Sequence, residues 1–107
     1  MKRGDLVRVA LPGDYGKPRP ALVIQSDIFE NHPSFTVLPI TSEIRLAPLV
    51  RITIEANEQT QLRTRSQIMI DKAVTVPREK VGGRIGNISE TDMMAVNRAL
   101  ALFFGLA

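Results

Sequence analysis

The chain has 107 residues, enough for one domain over residues 1–107 with a modest hydrophobic core. Hydrophobic residues make up 44% of it and charged residues 23%, which excludes a disordered chain. The absence of cysteine excludes disulfides, thiolate nucleophiles and cysteine-based metal sites, and a single histidine, His32, excludes a multi-histidine zinc site within one chain. The net charge of +3 permits a nucleic-acid partner without requiring one.

The N-terminal residues lead directly into a strand-like apolar stretch. Met1-Lys2-Arg3-Gly4-Asp5 contains no apolar core of a signal peptide. No apolar run approaches the roughly 20 residues that span a bilayer. We therefore expect a cytoplasmic protein without membrane contact.

Short apolar stretches, separated by prolines, glycines and polar residues, predict a β-rich chain. The predicted strands, in chain order, cover residues 5–11, 21–25, 35–40, 49–54, 66–71, 73–76 and 81–88. Residues 12–20 contain three prolines and two glycines and predict a loop. Pro39 predicts an edge or a bulge near the end of the third strand. The polar residues 55–65 predict a mobile loop, and residues 77–80 predict one short helical turn.

The last part of the chain has helical periodicity. Ser89 is suited to the N-cap, and apolar residues such as Met93, Val96 and Leu100 recur at helical spacing up to Gly105, which predicts the end of the helix. The sequence therefore predicts a mainly β fold with a C-terminal amphipathic helix, most simply a small barrel with the helix packed on it.

Several short motifs, in order along the chain, resemble those of the MazF/PemK-type toxins of bacterial toxin–antitoxin pairs. The first is the opening through Asp5, and the second is a basic-Pro-Arg-Pro step into the second strand. The others are a Pro-Ile-Thr-Ser turn, a strand that ends in Asp-Lys, and a Gly-Asn-Ile-Ser stretch before the helix. These motifs occupy residues 1–5, 16–25, 38–42, 66–72 and 86–89.

The resemblance implies a CcdB/MazF-like, SH3-like barrel that forms a homodimer. It also implies the toxin of a type II toxin–antitoxin pair, a metal-independent, sequence-specific endoribonuclease without a cofactor. Members of the family cleave single-stranded RNA, including mRNA, to 2′,3′-cyclic phosphate and 5′-hydroxyl ends, and so arrest translation and growth. A MazE/PemI-like antitoxin would cover the active-site surface, and contact with DNA would occur only through that antitoxin.

Cleavage of RNA by its own 2′-hydroxyl needs a proton acceptor, a cation beside the phosphate and a donor to the leaving oxygen. Arg19 is the best cationic candidate, since prolines on both sides stiffen its backbone and its guanidinium can bind phosphate through two donors. The family pattern places the threonine matching Thr41 in the active site. In some members it assigns the aspartate matching Asp71 as the base.

Asp71 also ends an alternation in which Gln67, Met69 and Asp71 share one face of the predicted strand. That face is predicted to point to solvent or to a cleft. The alternative role for Asp71 is a surface ion pair with Lys72 or an arginine.

Further residues are candidates for substrate binding. Ser42 follows Thr41 directly. Basic residues in loops or at strand ends are suited to phosphate contacts, namely Lys17, Arg45, Arg51, Arg63, Arg65 and Arg84. Tyr15, beside a glycine in a loop, is a candidate for base stacking. The alternatives are solvated charges, a serine that satisfies its own turn and a tyrosine that packs on the rim of the barrel.

Two other functions fit the same fold class. One is a CcdB-like poison of DNA gyrase, which would use the end of the C-terminal helix. The other is a non-catalytic small barrel that binds a peptide or a nucleic acid. The Arg-Pro and Thr-Ser motifs favour the ribonuclease.

Overall fold

A computed structural model describes residues 1–13 and 17–107. Its strands are β1 (Asp5–Ala10), β2 (Pro18–Val23), β3 (Ser34–Thr41), β4 (Arg51–Ile54), β5 (Ser66–Met69), β6 (Val74–Pro77) and β7 (Val81–Asn87). One helix, α1, follows at Glu90–Phe103. Short 3₁₀ turns cover Asp27–Phe29, Ile70–Lys72 and Arg78–Lys80. The predicted mainly β fold with a C-terminal helix is confirmed.

The strands follow the order β4-β5-β3-β2-β1-β7, with β6 paired to β3. β3 changes its partner along its length, because residues 34–37 pair with β6 whereas Ile40 and Thr41 pair with β5. Pro39 lies between these two pairings, where its missing N–H breaks no ladder. The discontinuity predicted at Pro39 is therefore a change of partner strand.

Two apolar clusters lie on opposite faces of the sheet, since neighbouring residues of one strand alternate between them. The helix cluster contains Leu6, Leu22 and Leu38 together with Val96 and Ala99 of α1. The second cluster lies on the other face and contains Val7, Val9, Ala21, Val23, Phe35, Val37 and Val76. One face of the sheet is thus covered by α1, and apolar residues of β6 and β7 contribute to the cluster on the other face.

The second strand begins earlier than predicted. Residues 18–20, expected in a loop, form the first half of β2 and pair with β1, with Pro20 opposite Arg8 and Pro18 opposite Ala10. β3 joins the other side of β2 only from Ala21 onward. The two prolines are tolerated because this half of β2 has a ladder on one side only, and proline favours extended backbone.

The fifth strand ends earlier than predicted. β5 stops at Met69, and Asp71 lies in the 3₁₀ turn that follows. Gln67, predicted on a solvent or cleft face, is 4% exposed, because its amide is hydrogen-bonded inside the protein. The alternation expected over residues 66–71 is therefore wrong in this part.

The predicted helix boundaries are confirmed. The Ser89 hydroxyl accepts a hydrogen bond from the backbone N–H of Asp92 at 3.0 Å, as an N-cap does. Gly105 follows the helix with a φ of +72°, a backbone conformation that glycine adopts without strain. Within the described ranges, no helix is long and apolar enough to cross a membrane.

Candidate active site

A cleft of about 450 Å³ lies at the end of the sheet. Most of its lining comes from three chain segments, the start of β2, the end of β3 and the connection between β4 and β5, and β1, β5 and β7 contribute one residue each. Its lining residues are Arg8, Lys17, Pro18, Arg19, Pro20, Ile40, Thr41, Ser42, Gln61, Leu62, Arg63, Thr64, Ser66 and Ile85.

The floor of the cleft continues the sheet face that packs against α1. Leu6, Leu22 and Leu38 belong to the helix cluster. Two positions away on the same strands, toward one end of the antiparallel sheet, Arg8, Pro20 and Ile40 line the cleft. The sheet face thus extends past the core under the helix, and this extension forms the cleft.

Arg19 occupies the second position of β2, opposite Val9 of β1. Its side chain is exposed, and Lys17 precedes the strand on the same side of the cleft. Because Arg19 belongs to a strand and both its neighbours are prolines, its backbone has little conformational freedom. The structure therefore brings a guanidinium on a stiff backbone to the cleft.

Thr41 and Ser42 reach the cleft from the end of β3. The Thr41 hydroxyl oxygen accepts a hydrogen bond from the backbone N–H of Glu43 at 3.1 Å. This local turn uses the hydroxyl as an acceptor and leaves its hydrogen available to donate. Thr41 can therefore offer a donor to an anion in the cleft.

Residues 61–64 form the opposite wall, which we call the 61–64 wall. The preceding loop closes on itself, since the Asn57 side-chain oxygen accepts from the backbone N–H groups of Gln59 and Thr60, both at 2.9 Å. The Thr60 hydroxyl donates to the Glu55 carbonyl at 2.9 Å, and Thr60 is 2% exposed. The loop predicted to be mobile is thus tied together by its own side chains.

The charged side chains that line the described part of the cleft are all cationic. They are Arg8, Lys17, Arg19 and Arg63, with no aspartate or glutamate among the lining residues. Of these four, Arg8 was not predicted from the sequence, whereas Arg63 of the 61–64 wall was a predicted phosphate contact. The signal for Arg8 was a charged residue inside an otherwise apolar strand, and the signal for the fixed shape of the loop before the wall was the Asn57-x-x-Thr60 spacing of a side-chain-stabilised turn. Such a site attracts anions.

Three predicted site residues lie outside this lining. Asp71 faces its neighbour Lys72, with 3.6 Å between the carboxylate oxygen and Nζ. Arg45 pairs with Glu43 at 2.7 Å, and this hydrogen bond and charge hold the pKa of Glu43 below its usual value. Arg84 donates to Asp5 at 3.1 Å.

Tyr15, the candidate for base stacking, falls outside the described residues. Among residues 1–13 and 17–107, no three His, Asp or Glu side chains are grouped as metal ligands would be. The chemistry available in the described cleft is that of cations and hydroxyl groups.

The family model described as PemK-like, MazF-like toxin of type II toxin–antitoxin system matches residues 2–104. The chain belongs to this family. A curated relative, the probable endoribonuclease MazF of Mycolicibacterium smegmatis, is 49% identical over 108 residues, which cover 100% of this chain and 99% of the relative. The family and the endoribonuclease class predicted from the sequence are thereby confirmed.

Solved structures share the fold of this MazF-family toxin. A mycobacterial endoribonuclease in complex with its cognate antitoxin has a TM-score of 0.83 at 20% identity, covering 100% of this chain and 97% of that one. Mycobacterium tuberculosis toxin MazF-mt6 has a TM-score of 0.80 at 24% identity, covering 95% and 98%. A MazE–MazF crystal structure from Deinococcus radiodurans has a TM-score of 0.82 at 19% identity, covering 100% and 98%.

The same findings separate the alternatives raised by the sequence. The family description and the name of the curated relative both favour the ribonuclease over a gyrase poison or a non-catalytic barrel.

Proposed function

We propose that this toxin binds single-stranded RNA in the cleft and cleaves it at specific short sequences by attack of the RNA's own 2′-hydroxyl. The observation that carries the proposal is the placement of Arg19 and Thr41. These two residues come from neighbouring strands, β2 and β3, and line one cleft whose described charged groups are all cationic. A polyanion with a backbone phosphate is the ligand that such a cleft favours.

In the proposed reaction, the 2′-oxygen attacks the adjacent phosphorus as its proton passes to solvent water. The bond between phosphorus and the 5′-oxygen breaks, and the 5′-oxygen takes a proton from water. The products are a 2′,3′-cyclic phosphate and a 5′-hydroxyl end. Because the nucleophile belongs to the substrate, the scheme requires neither a metal nor a cofactor.

Arg19 would stabilise the negative charge that accumulates on the phosphate oxygens in the transition state. A guanidinium presents its donors in a fork that fits two phosphate oxygens, and the stiff backbone of residues 18–20 positions that fork before the substrate arrives. Preorganised donors of this kind contribute most to the rate.

Thr41 would donate its hydroxyl hydrogen to a phosphate oxygen. The hydrogen bond from the Glu43 N–H fixes the hydroxyl oxygen and leaves its hydrogen free for this role. Ser42 and Lys17, which line the cleft on either side of these two residues, would contact neighbouring phosphates.

The catalytic role of Asp71 stays a prediction, as do the substrate contacts of Tyr15, Arg45 and Arg84. The Asp71 carboxylate lies outside the cleft lining and faces Lys72. We therefore assign most of the catalysis to Arg19 and Thr41, with Asp71 in a supporting role.

We also propose that the toxin acts as a homodimer. The end of α1 and the residues after it expose a group of large apolar side chains, namely Leu102, Phe103, Phe104 and Leu106. Contiguous exposed apolar residues mark a surface that another chain covers. A Phe104→Glu variant should shift the molar mass measured by light scattering from dimer to monomer.

A cognate antitoxin would cover the cleft and inhibit the toxin. An acidic segment of that partner fits a cleft whose described charges are positive. Contact with DNA would then occur only through the antitoxin. Competition between the antitoxin and a short RNA oligonucleotide tests whether the two share this surface.

The decisive experiment incubates purified toxin with a long single-stranded RNA in EDTA and maps the new 5′ ends. We expect discrete cuts at a short common sequence with 5′-hydroxyl and 2′,3′-cyclic phosphate ends. Intact RNA after incubation with folded, antitoxin-free protein would contradict the proposal, and a gyrase supercoiling assay would be the next measurement.

A further inference from the structure

Gly86 of β7 lies against the backbone of the loop that precedes the 61–64 wall. A Cβ at this position would lie 2.6 Å from the carbonyl oxygen of Thr60 and closer still to that of Gln59. Both obstacles are backbone atoms, so rotation of a side chain cannot relieve the contact. The Asn87 N–H donates to the Gln59 carbonyl at 3.0 Å, which holds the two segments together. The absence of a side chain at Gly86 is therefore what permits this contact.

Hydrogen bonds within the loop fix its shape, so the position of the loop on β7 determines the position of the 61–64 wall that follows it. Asn57 accepts from two backbone N–H groups, and the buried Thr60 hydroxyl joins Asn57 and Glu55. The Gln61 N–H donates to the Asn57 carbonyl at 2.9 Å, with Gln61 at a φ of +57°. A non-glycine residue holds this conformation only where its surroundings impose it. Gln61 is also the first residue of the 61–64 wall.

We infer that Gly86 is a positioning residue for the active site. It seats the loop at residues 59–60 on β7 and thereby sets the distance of the 61–64 wall from the side of the cleft that carries Arg19 and Thr41. Gly86 itself is not among the residues that line the cleft. The inference rests on the proposed function where it concerns RNA, but the placement of the loop can be tested without RNA.

The test compares Gly86→Ala with a matched control, Gly83→Ala. Both glycines belong to β7, and neither has a positive φ. A Cβ at Gly83 would meet nothing within 4 Å, so the control adds the same methyl group to the same strand without touching the loop. Amide hydrogen exchange is measured first, and then kcat and KM on an RNA oligonucleotide that contains the mapped cut sequence.

In Gly86→Ala, we expect faster amide exchange at Gln61 and Asn87, whose N–H groups hold the loop. We also expect kcat/KM to fall on the order of 10²-fold, as an ångström-scale misplacement in a site can cause. Most of this loss should appear in KM, because the wall contacts substrate whereas Arg19 and Thr41 stay on their own strands. A merely destabilised protein would instead lower the active fraction, and hence kcat, with KM unchanged. Gly83→Ala should match the wild type in every measurement.

A second variant covers the case in which Gly86→Ala does not fold. Asn57→Ala removes the acceptor for the Gln59 and Thr60 N–H groups at an exposed position and leaves β7 untouched. It should show the same faster exchange at Gln61 and the same rise in KM.

Exchange at Gln61 and Asn87 that is equal in Gly86→Ala and Gly83→Ala would overturn the inference, whether or not RNA is cleaved. So would a loss of kcat at constant KM. A wild-type protein that cleaves no RNA would instead refute the proposed function, and the exchange comparison would still decide the role of Gly86.

Discussion

Pro18 and Pro20 place Arg19 on a backbone that is restricted in the unfolded chain as well as in the fold. Ordering this residue for phosphate binding therefore requires less loss of conformational entropy than ordering an arginine in a free loop. The two prolines can occupy a strand because β3 does not pair with this half of β2. The Pro-Arg-Pro step of this chain thus combines a restricted backbone with one unpaired strand edge.

Arg19→Ala should lower kcat/KM for RNA cleavage on the order of 10²–10³-fold, the loss that follows removal of one preorganised transition-state donor. Arg19→Lys should recover only part of the activity, since an ammonium restores the charge without the planar fork. Cleavage of a defined oligonucleotide in EDTA measures both. Arg98→Ala, at an exposed position of α1, is the matched control and should cleave as the wild type does. Cleavage by Arg19→Ala at the wild-type rate would contradict the catalytic role proposed for Arg19.

Thr41→Val should lower kcat by about tenfold to 10²-fold, because valine keeps the branched shape but has no hydroxyl to donate. Thr41→Ser keeps the hydroxyl and should retain most of the activity. Thermal unfolding of both variants separates catalysis from folding: Thr41 is only partly buried, so we expect a cooperative transition close to that of the wild type. Loss of that transition in Thr41→Val would show that Thr41 is required for folding rather than for catalysis.

The segment between β3 and β4 depends on one buried side chain of β5. The Gln67 amide oxygen accepts from the Arg45 N–H at 3.0 Å and from Arg51 at 3.1 Å. The amide nitrogen donates to the Arg45 carbonyl at 3.0 Å and to the Thr53 hydroxyl at 3.2 Å. Gln67 therefore ties this segment to the sheet immediately after Thr41 and Ser42.

Gln67→Ala should lower the free energy of unfolding by about 1–3 kcal/mol, since the backbone groups of Arg45 lose their partners in a buried site. Chemical denaturation measures the change. Amide exchange should also become faster at Arg45, whose N–H donates to Gln67. Thr53→Val removes only one of the four hydrogen bonds and should cost less. Equal costs for the two variants would contradict the role of Gln67 as the anchor.

Among the secondary-structure elements, the sequence predicts best those whose boundaries depend on one local physical signal. The cap at Ser89 and the stop at Gly105 are local, and both are confirmed. The start of β2 was missed because proline content predicts a loop unless the strand's neighbours are known. The burial of Gln67 in β5 was missed because the partners of its amide lie more than ten residues away in the chain.

Part of the candidate site could also be predicted from the sequence. Arg19, Thr41, Ser42 and Lys17 lie in motifs and meet in one cleft, as the resemblance implies. Arg63 was a predicted phosphate contact, but the position of the 61–64 wall was not predicted, because it depends on contact with Gly86, more than twenty residues further along the chain. Nothing in the local sequence of that loop reveals such a contact.

At the scale of the whole molecule, the N-terminus is held to the connection between β2 and β3 by charge. The Lys2 ammonium lies 2.8 Å from Glu30, and the N-terminal amine of Met1 lies 3.4 Å from the same carboxylate. The hydrogen bond and charge of Lys2 lower the pKa of Glu30 below its ordinary 4.5. In return, Glu30 raises the pKa of Lys2 above its ordinary 10.5.

The signs of these shifts give a pH window. The contribution of Glu30 to stability is present above pH 4.5 and is lost as the pH falls through its lower folded pKa. The contribution of Lys2 is present below pH 10.5 and is lost as the pH rises through its higher folded pKa. Glu30→Gln should therefore be slightly less stable than the wild type at neutral pH, and the difference should vanish in acid. Denaturation curves across the acid range measure it, and a constant difference at every pH would contradict the pairing.

The pairing of β1 with β7 joins strands that are far apart in the chain, with Asp5 opposite Asn87. The loop at residues 59–60 likewise packs against Gly86, a residue that the ribosome adds after the loop itself. A nascent chain that does not yet include Gly86 therefore lacks the contact that we propose places the 61–64 wall.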